Sequence, residues 1–156
     1  MTKLSIVIIN YNVKYFLEQT LLSVRNAIGE LIRHYPSEGA EVLVVDNNSV
    51  DGSQQMLRAK FPEVQLIANK TNVGFARANN QAIEQASGSY ILLLNPDTVV
   101  EEDTLYKVVS FMDAHPEAGG LGVKMVDGKG EFLPESKRMF PSPEVAFYKA
   151  FGLSAL

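Results

Sequence analysis

VLVVDNNSVDGS, from Val42 to Ser53, and YILLLNPDT, from Tyr90 to Thr98, decide the reading of this chain. Each is an apolar run that stops abruptly at a cluster of Asp and Asn. In an open α/β sheet such clusters fall at the carboxyl ends of buried strands, where a change in strand order opens a crevice for ligands. The pair therefore marks a place suited to a nucleotide and a metal.

Working outward, Leu4 to Ile9 is almost continuously β-branched or aliphatic, as expected of a strand buried on both faces. Asn12 is placed to cap a helix in which Leu17, Leu21, Val24, Ile28 and Leu31 recur at steps of four and three, ended by Pro36 and Gly39. The pattern then predicts a strand over Val42–Val45, a helix over Ser53–Lys60 stopped by Phe61-Pro62, and a strand over Val64–Ala68. Asn72-Val73-Gly74 reads as a turn before a helix over Phe75–Ala86, whose Ala78, Ala82 and Ala86 would allow close packing. A strand over Tyr90–Leu94, a helix over Glu102–Ala114 with Leu105, Val108, Val109 and Met112 inward, and a fifth strand over Gly120–Val126 complete the series. Asp127-Gly128 turns the chain toward Glu131–Leu133. Alternating strands and helices predict an α/β fold with a doubly wound, mostly parallel sheet flanked by helices.

Composition narrows the function. At 156 residues the chain is one domain's worth, and 14 Lys+Arg against 18 Asp+Glu gives a net charge of −4 with no basic block. Nucleic acid is therefore not an expected partner. There is no Cys, which excludes a disulfide framework and a Cys-ligated zinc, and fits a reducing cytoplasm. The apolar run at Leu4 is too short for a signal-peptide core or a membrane span, so the chain reads as soluble and cytoplasmic, the inner face of the membrane included. No dinucleotide glycine fingerprint follows the first strand and no GxxxxGK loop occurs, which disfavours hydride transfer and phosphate-loop chemistry.

Each candidate site residue has two readings. Asp46, at the end of the second strand, can accept the imide N–H of a pyrimidine, or it and Asn47-Asn48-Ser49 are turn and cap residues. Asp51 and Ser53 share that ambiguity, and Asp51 is read as structural. Pro96 has no N–H, so the ladder stops at Asn95-Pro96-Asp97 and leaves Asp97 as a hard oxygen ligand for Mg²⁺ or Mn²⁺ on a nucleoside diphosphate, or as a turn residue. Arg77 lies one turn into a helix, where it can meet a phosphate or remain a surface cation. His34 and His115 each stand beside a Pro at a helix end and do not form a catalytic pair.

The order SIVIINYN, VVDNNSVDGS, NVGFARANNQAI, YILLLNPDT, with GEFLPESKRMFPSP after it, resembles family-2 glycosyltransferases of the GT-A fold, in particular a bacterial rhamnosyltransferase-like subgroup. The resemblance implies a metal-dependent, inverting transfer of a sugar from a UDP- or dTDP-linked donor to a glycan or lipid-linked acceptor. It implies that the backbone around Ile9, Asn10 and Tyr11 and the carboxylate of Asp46 hold the pyrimidine, with Arg77 near the nucleotide. Asn95 and Asp97 occupy the ends of the family's Asp-X-Asp motif, Asp97 as metal ligand and Asn95 nearer the ribose or sugar. Asn95 stands where many relatives carry Asp, so metal affinity without nucleotide should be weak.

The family's base is a carboxylate in an acidic motif further along, and after Asp127 the chain offers only Glu131, Glu135 and Glu144, none in an acidic pair. The catalytic base is thus unassigned. Val145, Phe147, Tyr148, Phe151, Leu153 and Leu156 make an almost uncharged tail that needs a packing partner. The expectation is an amino-terminal portion: residues 1–126 a nucleotide-sugar-binding core, and 127–156 the start of an acceptor-side region. The tail predicts a homo-oligomer or folding back over the sheet, and peripheral membrane association is a further expected partnership. With no Trp there is no Gln-x-x-Arg-Trp motif, so a processive synthase is unsupported. A non-catalytic nucleotide-sugar-binding module is the alternative. A sugar-nucleotide pyrophosphorylase would need a Gly-rich loop and a basic residue where Asn10-Tyr11-Asn12 stand.

Overall fold

In the computed structural model the described residues are 1–133, and the chain divides into two compact units, Met1–His115 and Pro116–Leu156. The first unit runs β1 (Thr2–Asn10), α1 (Lys14–His34), β2 (Gly39–Asp46), α2 (Ser53–Lys60), β3 (Gln65–Ala68), α3 (Phe75–Ile83), β4 (Tyr90–Leu94) and α4 (Thr104–Ala114). All pairings are parallel, in the order β3-β2-β1-β4. The expected α/β doubly wound sheet is therefore present, and the order reverses between β1 and β4.

Side-chain alternation along the strands divides the core in two. Leu4, Ile6 and Ile8 of β1 and Val42 and Val44 of β2 pack with Leu17, Leu21, Val24 and Leu31 of α1, Met56 and Leu57 of α2, and Leu105 and Val109 of α4. Ile28 is only partly buried against that cluster. On the other face Val7, Ile9, Leu43 and Val45 meet Ala78 and Ala82 of α3. The small alanines let this helix lie close on two strands. β1 is central, which explains why its residues from Leu4 onward are buried without interruption.

Three expectations need correction. Asn12 does not cap α1: its φ is +55°, and its Oδ1 accepts from Val50 N (2.8 Å). The cap comes from Asp51, whose Oδ2 accepts from Lys14 N at 2.8 Å. The helix expected to reach Ala86 stops at Ile83, and Ala86 is in the turn that follows. Finally, Gly120–Val126 is not a strand. Leu121, Val123, Met125 and Val126 are exposed, and the only pairing there among the described residues is an isolated antiparallel bridge, Val126 to Phe132. An extended apolar run becomes a strand only when a partner edge takes its N–H and C=O groups, and Gly119, Gly120 and Gly122 weaken any intrinsic preference for extension. The turn itself forms: Asp127 N donates to Glu131 O, and Asp127 Oδ1 accepts from Lys129 N and Glu131 N.

Gly88 joins the segment entering β4 to β1. Its N–H donates to Ser5 Oγ (2.8 Å), and a Cβ there would lie 2.6 Å from both Ser5 N and Ser5 Oγ. Ser5 N belongs to a laddered central strand and cannot give way. Gly88→Ala should therefore destabilise the protein by about 1–3 kcal/mol, the range for overpacking. A urea melt checks this, and an unchanged midpoint would contradict the close approach.

Candidate functional site at the carboxyl edge of the sheet

The register brings the strand ends level. Asn10 is paired with Asp46, Asp46 with Ala68, and Ile8 with Leu94, so the turns that follow β1, β2 and β4 open on one edge. That edge, where the order reverses between β1 and β4, is the position at which open α/β sheets bind ligands.

Asp46 is its most constrained group. The side chain is fully buried; Oδ1 accepts from Asn10 Nδ2 (2.7 Å), and Oδ2 accepts from Ser49 N (2.9 Å) and Gln54 Nε2 (2.7 Å). Burial alone would push the carboxyl up, but the Ser49 hydroxyl and N–H, Gln54 and Asn10 outweigh it and hold the pKa below the ordinary Asp value. Asn10 also donates to Ser49 Oγ (3.0 Å), which fixes its amide nitrogen on this side and leaves Oδ1 buried with no partner among the described residues. Asn12 N donates to the same hydroxyl (2.9 Å), and Asn47 N to Asn10 O (2.9 Å).

Two residues of this knot, Asn12 and Asn48, have left-handed φ, +55° and +65°. Asn tolerates that region better than most side chains, and Gly52, at +85°, continues the bend. Asp51 is structural, as expected: besides capping α1 it accepts from Ser53 N (3.0 Å), and these bonds hold its carboxyl below the usual range although burial opposes them.

The remaining candidates surround this knot at different depths. Ile9 buries its side chain in the α3-side core, so only its backbone is available to a ligand, whereas Tyr11 is half exposed. Asn95 and Asp97 are exposed. Their loop is anchored by Thr20 Oγ1, which donates to Pro96 O (2.8 Å), and by Val100 N, which donates to Ser23 Oγ (3.0 Å). Arg77 is exposed in the first turn of α3 and makes no ion pair among the described residues. The geometry thus joins Asn10 to Asp46 directly, while Arg77, Asn95 and Asp97 share the edge without touching that pair.

The sequence reading missed the partners of the knot, Asn12, Ser49 and Gln54. It also missed an amide chain in which Asn69 Nδ2 donates to Asn47 Oδ1 (3.0 Å) and Gln81 Oε1 (2.9 Å), tying β2, β3 and α3 together. The only hint was the density of Asn and Gln at strand ends. His34 and His115 lie at helix ends and stack on Tyr106 and Phe111, respectively.

No group of three or more His, Cys, Asp or Glu among the described residues could hold a metal by itself. Asp97 and Asn95 leave exposed oxygen atoms at the end of β4, and a cation carried on a diphosphate would need only one or two protein carboxylates. A separate groove of 210 Å³, lined by Leu21, Val24, Ile28, Val42 and Phe61, lies between α1, β2 and the segment that follows α2; its Arg25 and Glu63 are paired with each other at 2.6 Å. No helix among the described residues is long and apolar enough to cross a membrane.

The fold and this edge define a parallel α/β domain whose ligand end carries Asn and Asp. The Glycosyl transferase family 2 domain matches residues 5–153, and the chain belongs to that family. It is similar to the poly(ribitol-phosphate) β-N-acetylglucosaminyltransferase TarS of Staphylococcus aureus, 28% identical over 93% of this chain and 25% of that protein. A second relative is the N-acetylglucosaminyl-diphospho-decaprenol L-rhamnosyltransferase of Mycobacterium tuberculosis, 27% identical over 63% of this chain and 36% of that one. The crystal structure of S. aureus TarS 1-349 superposes with a TM-score of 0.70 at 25% identity, covering 90% of this chain and 40% of that one, and the same protein in complex with UDP-GlcNAc gives 0.68 at 27%. The fold is GT-A, and the chain spans only about a quarter to two fifths of these relatives.

The knot makes a pH prediction. A carboxylate with a depressed folded pKa contributes stability that is present above its unfolded pKa, about 3.9, and is lost as pH falls through the folded value. Asp46→Asn, which places an amide NH₂ against a donor, should cost about 1–3 kcal/mol at neutral pH. The gap from wild type should narrow as the pH is taken below the Asp range. Urea melts at pH 7 and pH 3 check this; a gap independent of pH would mean that the charge is not what the donors hold.

Proposed function

We propose that this chain carries the donor-binding half of a metal-dependent, inverting glycosyltransferase that uses a UDP- or dTDP-linked sugar. The observation that carries the reading is the convergence of Asn10, Tyr11, Asp46, Asn95 and Asp97 on the edge where strand order reverses. In this reading the backbone from Ile9 to Tyr11 and the Asp46 carboxylate take the pyrimidine, Arg77 faces the phosphates, and Asn95 faces the ribose or sugar. Entry of the base displaces one of the internal donors on Asp46, and the unpaired Asn10 Oδ1 is a second acceptor in the same knot. Support for the donor class comes from the TarS structures solved with UDP-GlcNAc and with UDP.

Asp97, with Asn95 beside it, would hold Mg²⁺ or Mn²⁺ together with the diphosphate, and the cation when bound neutralises leaving-group charge. In the transfer the acceptor hydroxyl attacks the anomeric carbon, the bond from that carbon to the diphosphate oxygen breaks, and the bonding pair leaves with the diphosphate. The hydroxyl proton passes to a carboxylate base. That base is unassigned among the described residues, and Glu135 and Glu144 lie outside them. The acceptor is proposed to be a glycan or lipid-linked saccharide; the M. tuberculosis relative's name carries a lipid-linked one, and the TarS name carries a poly(ribitol-phosphate).

Calorimetry with UDP, UDP-GlcNAc and dTDP, with and without Mn²⁺, tests the reading. Binding is expected to strengthen with Mn²⁺, and Asp97→Ala should remove that gain while leaving the melting transition in place, because the side chain is exposed. Absence of binding by any of these nucleotides would sink the proposal; Mn²⁺-dependent affinity that survives in Asp97→Ala would take Asp97 out of the site.

A further inference from the structure

No side-chain hydrogen bond or ion pair fixes Asn95 or Asp97 among the described residues, so the backbone of their loop decides where these exposed groups stand. That backbone is pinned on both sides of Asp97 by hydroxyls of α1. Pro96 has no N–H, so its carbonyl is the one backbone group by which the residue can be held, and Thr20 Oγ1 donates to it at 2.8 Å. Val100 N donates to Ser23 Oγ (3.0 Å), and the Val100 side chain is buried among Leu17, Leu21 and Leu105. Between these pins Thr98 N donates to Asn95 O (3.3 Å), which closes the turn that carries Asp97.

Helix formation alone does not account for these hydroxyls. Thr20 is only 1% exposed, and a threonine hydroxyl inside a helix commonly turns back on the carbonyl of the preceding turn. This one reaches across to the loop instead. Ser23 does turn back, donating to Thr20 O (2.8 Å), and so keeps its lone pairs for Val100 N–H. The start of the same helix is tied to the other half of the edge, since Lys14 N donates to Asp51 Oδ2 and Val50 N to Asn12 Oδ1. Lys14 and Thr20 stand roughly 9 Å apart along the helix axis, so α1 spaces the Asp46 knot from the Asn95-Pro96-Asp97 loop.

We propose that Thr20, with Ser23 behind it, is a positioning residue for sugar transfer: its hydroxyl holds Asp97 at the place where the donor's diphosphate and its cation lie. The proposal rests on the donor-binding reading and adds to it the side chains that set one half of the site against the other.

Thr20→Val removes the hydroxyl at nearly the same volume, and Thr20→Ser keeps it. UDP binding by the full chain is measured by calorimetry with and without Mn²⁺, beside hydrogen exchange of the ligand-free protein. Thr20→Val should lose about tenfold or more of the Mn²⁺-dependent gain in affinity while its affinity without Mn²⁺ is unchanged. Its Thr98 and Val100 amides should exchange faster, with β1 and β2 as in wild type. Thr20→Ser should restore the gain. Ser23→Ala should show the same pattern as Thr20→Val, and it carries the test if that variant does not fold. A Mn²⁺-dependent gain equal to that of wild type in these variants would overturn the proposal. So would a loss shared equally by the Mn²⁺-free affinity, which would make the hydroxyl a support of the whole fold. Failure of the donor-binding reading shows in wild type itself, as absent UDP binding or no gain with Mn²⁺, and the positioning role falls with it.

Discussion

The buried contact between Asn10 and Asp46 is the constraint on which the site depends. It ties the carboxyl ends of two neighbouring parallel strands through side chains, where the backbone ladder has ended. A buried carboxylate is tolerable only when its lone pairs are filled, and here Asn10, Ser49 and Gln54 fill them from three segments. The consequence is rigidity in the loops that carry Tyr11 and Asn12, because the same Ser49 hydroxyl that serves Asn10 also receives Asn12 N–H.

Rigid loops on one side face a more open arrangement on the other. Asn95 and Asp97 are exposed and held only through the backbone of their loop, by Thr20 and Ser23 of α1. One half of the edge is thus pinned by side chains and the other by contacts to its backbone. The parallel order places both halves at the same edge, and membership of glycosyltransferase family 2 gives the arrangement its chemical context.

What could be read from sequence was set by the range of the forces involved. Tyr90–Leu94 and Ser53–Lys60 have the bounds that their local patterns predicted, since apolar runs and a Phe-Pro stop act within a few residues. The cap of α1 could not be read locally, because Asp51 lies 37 residues from Lys14 and the adjacent Asn12 turns away into a left-handed conformation. Gly120–Val126 looked like a strand because its apolar spacing is strand-like, but pairing depends on a partner edge that spacing does not encode. Asp46 was legible as important, and its two readings were both physically sound; that it is enclosed by Asn10, Ser49 and Gln54 follows only from the register of β1 against β2.

The most direct measurement of the central claim is backbone hydrogen exchange of the full chain with and without UDP and Mn²⁺. The account predicts added protection in the turns after β1, β2 and β4, covering Asn10–Asn12, Asn47–Ser49 and Asn95–Thr98, with little change elsewhere in the first unit. Protection confined to the apolar groove of Leu21, Val24 and Phe61, with none at these three turns, would contradict it.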